Sequence, residues 1–296
     1  MQLVKYNNGN CSITIDNVGT RIIEFEGSMK LDHPLNIDIR VSNQCSFGQR
    51  DNGSYVLCSF CHESAKVNGL ECDYTALKAK LKGIPPGIEL AIGCNKLTHN
   101  LMFFLFWCKI KGFICNLTVN QGHIKRDIFD ILKCIDMDLI KGLGISYRSS
   151  LTWNVPNEIL NYENTVFHVI MGIDTINDVI ELHNKGVKKL LILGEKDFGA
   201  NTGQVDIDSL NHQQWKWWIN HCIKTFDITS FDNLALEQLK LRRLFSDDNW
   251  NKFYQGEHSF YINAVEQTFS RSSRSKEKYN WNDYTISEYF KSINHE

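Results

Sequence analysis

Apolar residues along this chain keep two different rhythms. Up to residue 34 they alternate with polar ones, as in Cys11-Ser12-Ile13-Thr14-Ile15 and again through Arg21–Phe25, with a turn at 17–19 between. Alternation of this kind predicts a small β element over 1–34. From residue 35 short β-branched runs at 35–42, 88–93, 113–119, 142–147, 165–171 and 188–194 take turns with helical segments near 73–82, 98–111, 125–137, 156–161 and 174–185. Asp73 is a good N-cap, Gly83 with Pro85-Pro86 closes the first helix, and Gly112 and Gly186 close the second and fifth. Ile128, Ile131, Leu132 and Ile135 follow the helical spacing of one buried stripe. Six strand–helix units with apolar strands predict an α/β protein with parallel strands covered by helices, either doubly wound or an open barrel.

Past residue 195 the regularity fades. A helix over 208–225 presents Trp215, Trp217, Trp218 and Ile219, read as core packing; a second spans 231–246, a hairpin or turn covers 253–262, and 270–278 is a polar loop. Arg271, Arg274, Lys276 and Lys278 in that loop read as a solvated face. The expected organisation is an N-terminal β element over 1–34, a core over 35–200, and an α-rich C-terminal extension over 201–296 acting as a substrate lid or docking element.

Composition narrows the class. With 43% hydrophobic and 22% charged residues in 296, the chain can bury a substantial core. Lys plus Arg number 32 against 34 Asp plus Glu, a net charge of −2 that gives no strong nucleic-acid signal and no drive toward anionic membrane. The apolar run Leu101–Trp107 is too short for a bilayer, which takes about 20 residues. Residues 1–10 lack the apolar core of a signal peptide, so the expected compartment is a reducing cytoplasm. Of the ten cysteines, Cys11, Cys108, Cys115, Cys134 and Cys222 read as buried thiols.

Chemistry concentrates after the first strand. Cys45, Cys58 and Cys61 follow it, the last two as Cys58-Ser59-Phe60-Cys61, with an aromatic before the final cysteine. Thiolates in this position suit a [4Fe–4S] cluster with one iron left for a small molecule. Cys58-Ser59-Phe60-Cys61-His62 also spells a c-type haem attachment, which would need export and would leave Cys45 unexplained. A zinc shell of Cys45, Cys58, Cys61 and Cys72 remains open.

At these residues the chain resembles the radical S-adenosylmethionine (SAM) superfamily, whose C-x3-C-x-Φ-C loop follows the first strand of a partial (β/α)6 barrel. Twelve residues, not three, separate Cys45 from Cys58; removing Gln49–Leu57 restores the family spacing, so the reading is a nine-residue insertion in the cluster loop. A polar insertion there costs little loop-closure entropy. Cys72 is the reserve for the third ligand.

A second point of resemblance is Gly93-Cys94-Asn95-Lys96-Leu97-Thr98-His99, set against the family's Gly-Gly-Glu segment after strand two. Gly93, Leu97 and His99 match; Asn95 replaces the acid and can still accept a hydrogen bond from the methionine ammonium. The resemblance places Phe60, Gly93, Asn95, Ser146, Gly172 and Leu193 toward SAM, with Cys45, Cys58 and Cys61 as metal ligands. Asn116, Thr118 and Asn120 share one strand face. His62 and Glu63 read as loop support, and Lys196 and Asp197 lie at the cavity mouth.

What the resemblance implies is a cytoplasmic enzyme that holds a [4Fe–4S] cluster and S-adenosyl-L-methionine. It would cleave SAM reductively to a 5′-deoxyadenosyl radical and abstract hydrogen from a peptide, nucleotide or small molecule. An electron donor such as flavodoxin or ferredoxin is implied. The alternatives are a zinc-stabilised binding module without catalysis, and a degenerate homologue that no longer cleaves SAM.

Overall fold

The structure is a computed structural model that describes residues 4–16, 21–45, 58–63, 65–94, 96–151, 153–244, 246–247 and 258–294. The N-terminal element is a three-stranded antiparallel sheet of β1 (Val4–Asn8), β2 (Cys11–Ile15) and β3 (Arg21–Phe25), in that order. Alternation does its expected work in β2, where Cys11, Ile13 and Ile15 are buried. The predicted strands at 11–15 and 21–25 are present, and β1 adds a third. Gly9, at φ +62°, opens the two-residue β1–β2 turn, and Asn10 completes it.

The central sheet is built from β4 (Asn36–Arg40), β5 (Glu89–Gly93), β6 (Ile114–Asn120), β7 (Gly142–Ser146), β8 (Thr165–Ile170), β9 (Lys189–Leu193), β10 (Ile228–Phe231), β11 (Ser259–Asn263), β12 (Thr268–Ser270) and β13 (Tyr279–Asn280). Its helices are α1 (Tyr74–Lys80), α2 (His99–Lys111), α3 (Gln121–Asp136), α4 (Asn157–Leu160), α5 (Ile176–Asn184), α6 (Leu210–Thr225), α7 (Asn233–Gln238) and α8 (Ile286–Asn294). β4 to β10 lie side by side in chain order, each parallel to the next. β11 then returns to pair in parallel with β4, and β12 and β13 continue outward as antiparallel strands. The fold is therefore α/β around a large, mostly parallel sheet.

Six parallel strands are predicted by the sequence pattern; among the described residues there are eight. The six expected strands are all present, within one or two residues of their predicted bounds. β10 escapes notice because Ile228-Thr229-Ser230-Phe231 is an exposed edge with little apolar content. β11 belongs to the segment read as a hairpin, and it does turn back on β12; its parallel pairing with β4 is a long-range event with no local signal. The stretch 201–296, expected to be α-rich, contributes four strands to the sheet.

Caps behave as their chemistry requires. Asp73 accepts from the backbone of Thr75 and Ala76 at 2.8 and 3.2 Å to start α1, and Gly112 at φ +76° ends α2. One face of the sheet carries the core: Ile37 and Ile39, Leu90 and Ile92, Leu117 and Val119, Leu143 and Ile145, Phe167 and Val169, and Leu190 and Ile192 are all buried. Fully burying each such side chain contributes about 1.5–3 kcal/mol. Trp215 and Ile219 join this core as expected, whereas Trp217 is 78% exposed. At the far edge Phe260, Phe269, Trp281 and Tyr289 pack ring against ring, which fixes β11 to β13 and α8.

Since pleating alternates side chains, the opposite face of every parallel strand is defined by register. Arg40, Gly93, Thr118 and Gly144 form one row across it, and Asn120 and Ser146 begin the next, in which Ser146 is followed by His168, Leu191 and Ser230. Among the described residues no helix is long and apolar enough to cross a membrane.

Candidate functional site at the carboxyl edge of the sheet

β4 delivers the chain to the carboxyl edge, and a short ladder holds it there. Cys72 donates its backbone N–H to Val41 (2.8 Å), Cys45 to Lys66 (2.8 Å) and Lys66 to Asn43 (2.9 Å), so the two limbs of the cysteine loop run against each other. A turn closes with Cys61 N–H on the Cys58 carbonyl at 2.9 Å. Ala200, from the segment after β9, donates to the Cys61 carbonyl at 3.0 Å. Residues 46–57, which contain the inferred insertion, lie outside the described residues, as does Asn95.

The three loop cysteines share one electrostatic neighbourhood. Burial pushes the Cys58 thiol up, the charges of Cys61 and Cys45 push it further, and Arg148 pulls it back. The Arg148 guanidinium sits 4.3 Å above the Phe60 ring, so the aromatic between the two cysteines carries a cation on its face. All ten cysteines are thiols, and among the described residues no three His, Cys, Asp or Glu side chains are gathered into a metal-ligating group. Cys61 and Cys45 act on Cys58 through their charge, but the three are not gathered into such a group. By donor chemistry, three partly exposed thiols suit a thiolate-bound cluster, with Arg148 acting on the Cys58 sulfur. Cys72 fits poorly: it is buried, and burial followed by the adjacent Glu71 and Asp73 charges pushes its thiol up to about 12.

A charged latch ties the loop down. Arg40, the last residue of β4, holds Glu63 twice, through Nε to Oε2 at 2.6 Å and Nη2 to the carbonyl at 2.6 Å. Burial opposes the charge on Glu63, but the His62 hydrogen bond and the charges of His62, Arg40 and Lys196 outweigh it and bring the carboxyl down to about 2. Burial and then Lys196 lower the pKa of His62, against the pull of Glu63. His62 Nε2 lies 3.4 Å from Lys196 Nζ, and its ring meets Phe198 edge-on at 5.4 Å. Gly199, at φ +68°, passes so close to the Cys61 and His62 carbonyls that any Cβ would strike them. His62, Glu63 and Lys196, singled out in the sequence, thus meet as one structural unit.

The other sequence candidates fall along the same edge. Gly93 ends β5 in the row with Arg40 and Thr118, and among the described residues nothing lies within 4 Å of where its Cβ would be. Ser146 ends β7 between Asn120 and His168. Leu193 ends β9 on the same face as Ile170. Gly172 is different: at φ +88° its missing side chain makes room for Glu195 and His212, so the close approach it permits is intramolecular. Gly194 likewise admits the start of α7. His99 is exposed at the start of α2, and Cys94 is buried, its thiol pushed up to about 12 by burial and then by Asp127.

Two buried groups at this edge escape sequence reasoning. Arg148, 8% exposed, pairs with Asp174 at 3.1 Å, and its backbone N–H reaches Gln121 Oε1 at 3.2 Å. Burial holds the Asp174 carboxyl up, at about 6, against the pull of Arg148. His212 lies 3.5 Å from Glu195, which takes a hydrogen bond from Asn201 at 3.1 Å. The only signal for either was position: Arg148 and Glu195 each come two residues after a parallel strand ends. No family model matches the chain, and no curated protein matches it significantly.

Proposed function

We propose that this chain is a radical SAM enzyme whose [4Fe–4S] cluster is held by Cys45, Cys58 and Cys61. What supports the reading is the charge interaction of Cys58 with Cys61 and Cys45 after the first strand of a sheet wound in chain order, at the edge where ligands of α/β proteins collect. In this reading the parallel sheet is an open (β/α) barrel. Its first six units, β4 to β9, are those of the family, and β10 and β11 are added staves on either side.

Bound there, the cluster and SAM supply reductive cleavage of the sulfonium and hydrogen abstraction from a substrate, chemistry that belongs to the cofactors. The protein's part is orientation and charge. Arg148 stabilises the Cys58 thiolate and is itself fixed by Asp174 and by stacking on Phe60. The Arg40–Glu63 latch and the Ala200 bond keep the Cys61 turn from drifting. Gly93 leaves space beside its strand end, and Ser146 and Leu193 end their strands on the same face, which would turn toward SAM. Gly172 shapes that edge by letting Glu195 and His212 pack behind it. A flavodoxin or ferredoxin in a reducing cytoplasm would supply the electron.

Anaerobic reconstitution with iron and sulfide, followed by dithionite and SAM, tests this. The expected result is a broad iron–sulfur absorbance and formation of 5′-deoxyadenosine. A colourless protein carrying zinc would replace the reading with a zinc-stabilised module. A fully loaded protein that yields no 5′-deoxyadenosine would make it a homologue without the cleavage reaction.

A further inference from the structure

Opposite the cysteine loop, toward the amino ends of the same strands, the open face of the sheet encloses a cavity of about 380 Å³. That is within the roughly 300–1,000 Å³ of small-molecule sites. Its walls are mostly apolar, from Ile15, Ala91, Ile114, Val166 and Leu191. Four polar side chains face in from them: Asn116, Thr118, His168 and Ser230.

The charged side chains of the lining are paired. Arg21, reaching in from β3, holds Glu89 at 2.7 Å, and Asn116 Nδ2 donates to the other Glu89 oxygen at 2.5 Å. Lys141 at the rim is paired with Asp138. The hydroxyls of Thr118 and Ser230 and the His168 ring make no hydrogen bond to any described residue, and Asn116 keeps its carbonyl oxygen unused. Burial lowers the pKa of His168 to about 4, so its ring is neutral and offers one donor and one acceptor. Gly142 and Gly144 make this arrangement possible, because a Cβ at either would collide with Asn116 or with His168 and Thr118.

These features select a ligand by exclusion. An anion or cation would find no unpaired counter-charge among the lining side chains, where Arg21, Glu89 and Lys141 are all paired. A sugar held inside would press hydroxyls against Ile114, Val166 and Leu191 without partners, whereas a nucleoside can leave its ribose at the open mouth; a hydrocarbon would strand the polar groups of the lining. A flat heterocycle with apolar faces and a mixed donor–acceptor edge satisfies both kinds of wall. We infer that the amino-end cavity is a binding site for a neutral heterocycle of the nucleobase or nucleoside class, read by Asn116, Thr118, His168 and Ser230.

The cavity's upper rows adjoin the candidate SAM row: Thr118 pairs with Gly93, and His168 with Ser146. A ligand in the cavity would therefore lie beneath that row, as a substrate should. The substrate role, unlike the binding site, rests on the radical SAM reading.

Calorimetric titration of adenosine, guanosine, cytidine and uridine into the metal-free protein tests the site. At least one should bind. Ala91→Phe, which fills the cavity, should abolish that binding. Thr118→Val and His168→Ala should each weaken it about tenfold, the size expected for one lost hydrogen bond. Circular dichroism melts establish that each variant folds, and the two polar variants keep the test alive if Ala91→Phe does not. Binding of none of the four at millimolar concentration would overturn the inference. So would equal binding of D-ribose, or binding unchanged in both Ala91→Phe and His168→Ala, which would place the nucleoside elsewhere. Because the metal-free protein is used, loss of SAM cleavage would leave this result standing, and the two readings fail separately.

Discussion

At the carboxyl ends of the parallel strands, Arg40 pairs with Glu63, Lys196 meets His62, and Arg148, paired with Asp174, also acts on the Cys58 sulfur. In the lining of the amino-end cavity, Arg21 is matched by Glu89 and Lys141 by Asp138 at the rim, and the other polar side chains of the lining are neutral. One sheet thus presents a polarised rim and a quiet cavity a few residues apart. In the proposed reading the difference follows from what each end would hold. Thiolates need fixed positive charge nearby to stay ionised. A neutral ligand is read by dipoles, and stray charge there would only add desolvation cost.

The sharpest way to break this contrast is to remove the sulfurs. Cys58→Ala, Cys61→Ala and Cys45→Ala should each abolish iron loading in anaerobic reconstitution, whereas Cys72→Ala should load normally by iron and sulfide assay. If Cys72→Ala loses iron while Cys45→Ala keeps it, the ligand set at the carboxyl rim has been misassigned.

Arg148→Ala should be the most damaging change to stability. It leaves Asp174 buried without its cation, a loss of about 3–5 kcal/mol by urea denaturation. The loss should also depend on pH. Burial already holds the native Asp174 carboxyl at about 6, above its ordinary value, so the native state binds more protons than the unfolded state between pH 4 and 6. Stability from this group therefore falls as pH rises through that window. Without Arg148 the fall should continue to higher pH, making the variant worse at pH 8 than at pH 5.

At the quiet end, Arg21→Ala should cost about 1.5–3 kcal/mol, the worth of a hydrogen bond to a charged group, and leave iron loading unchanged. A loss of iron in that variant would show that the two ends are not independent.

The smallest effect belongs to the latch. Glu63 has a native pKa of about 2, below its ordinary value, so its contribution is present above about pH 4.5 and disappears as pH falls toward 2. Glu63→Gln should lower stability at pH 7 by about 1–2 kcal/mol and remove that acid-dependent loss. An unchanged acid melt would mean that His62 and Arg40 do not hold the carboxylate.

Much of this architecture was legible in advance because it is written locally. The six central strands, the caps Asp73 and Gly112, and the β2 and β3 pair follow from periodicity and from residues whose backbone chemistry acts within a few positions. The cysteine trio and its neighbours His62, Glu63 and Lys196 were legible as types at telling places. What they do to one another was not. Trp217 was expected inside and is exposed, because helix periodicity identifies a face only when a single stripe is apolar, and α6 carries tryptophans on more than one.

Pattern and residue chemistry alone determined that the chain forms parallel strands under helices, and that its sulfurs follow the first of them. Tertiary structure decided which partners those residues meet: β11 beside β4, Arg148 over Phe60, His212 against Gly172, and Arg21 beneath the sheet on Glu89. Each of these joins positions far apart in the chain, where burial and charge pairing choose the partner and local propensity has no say.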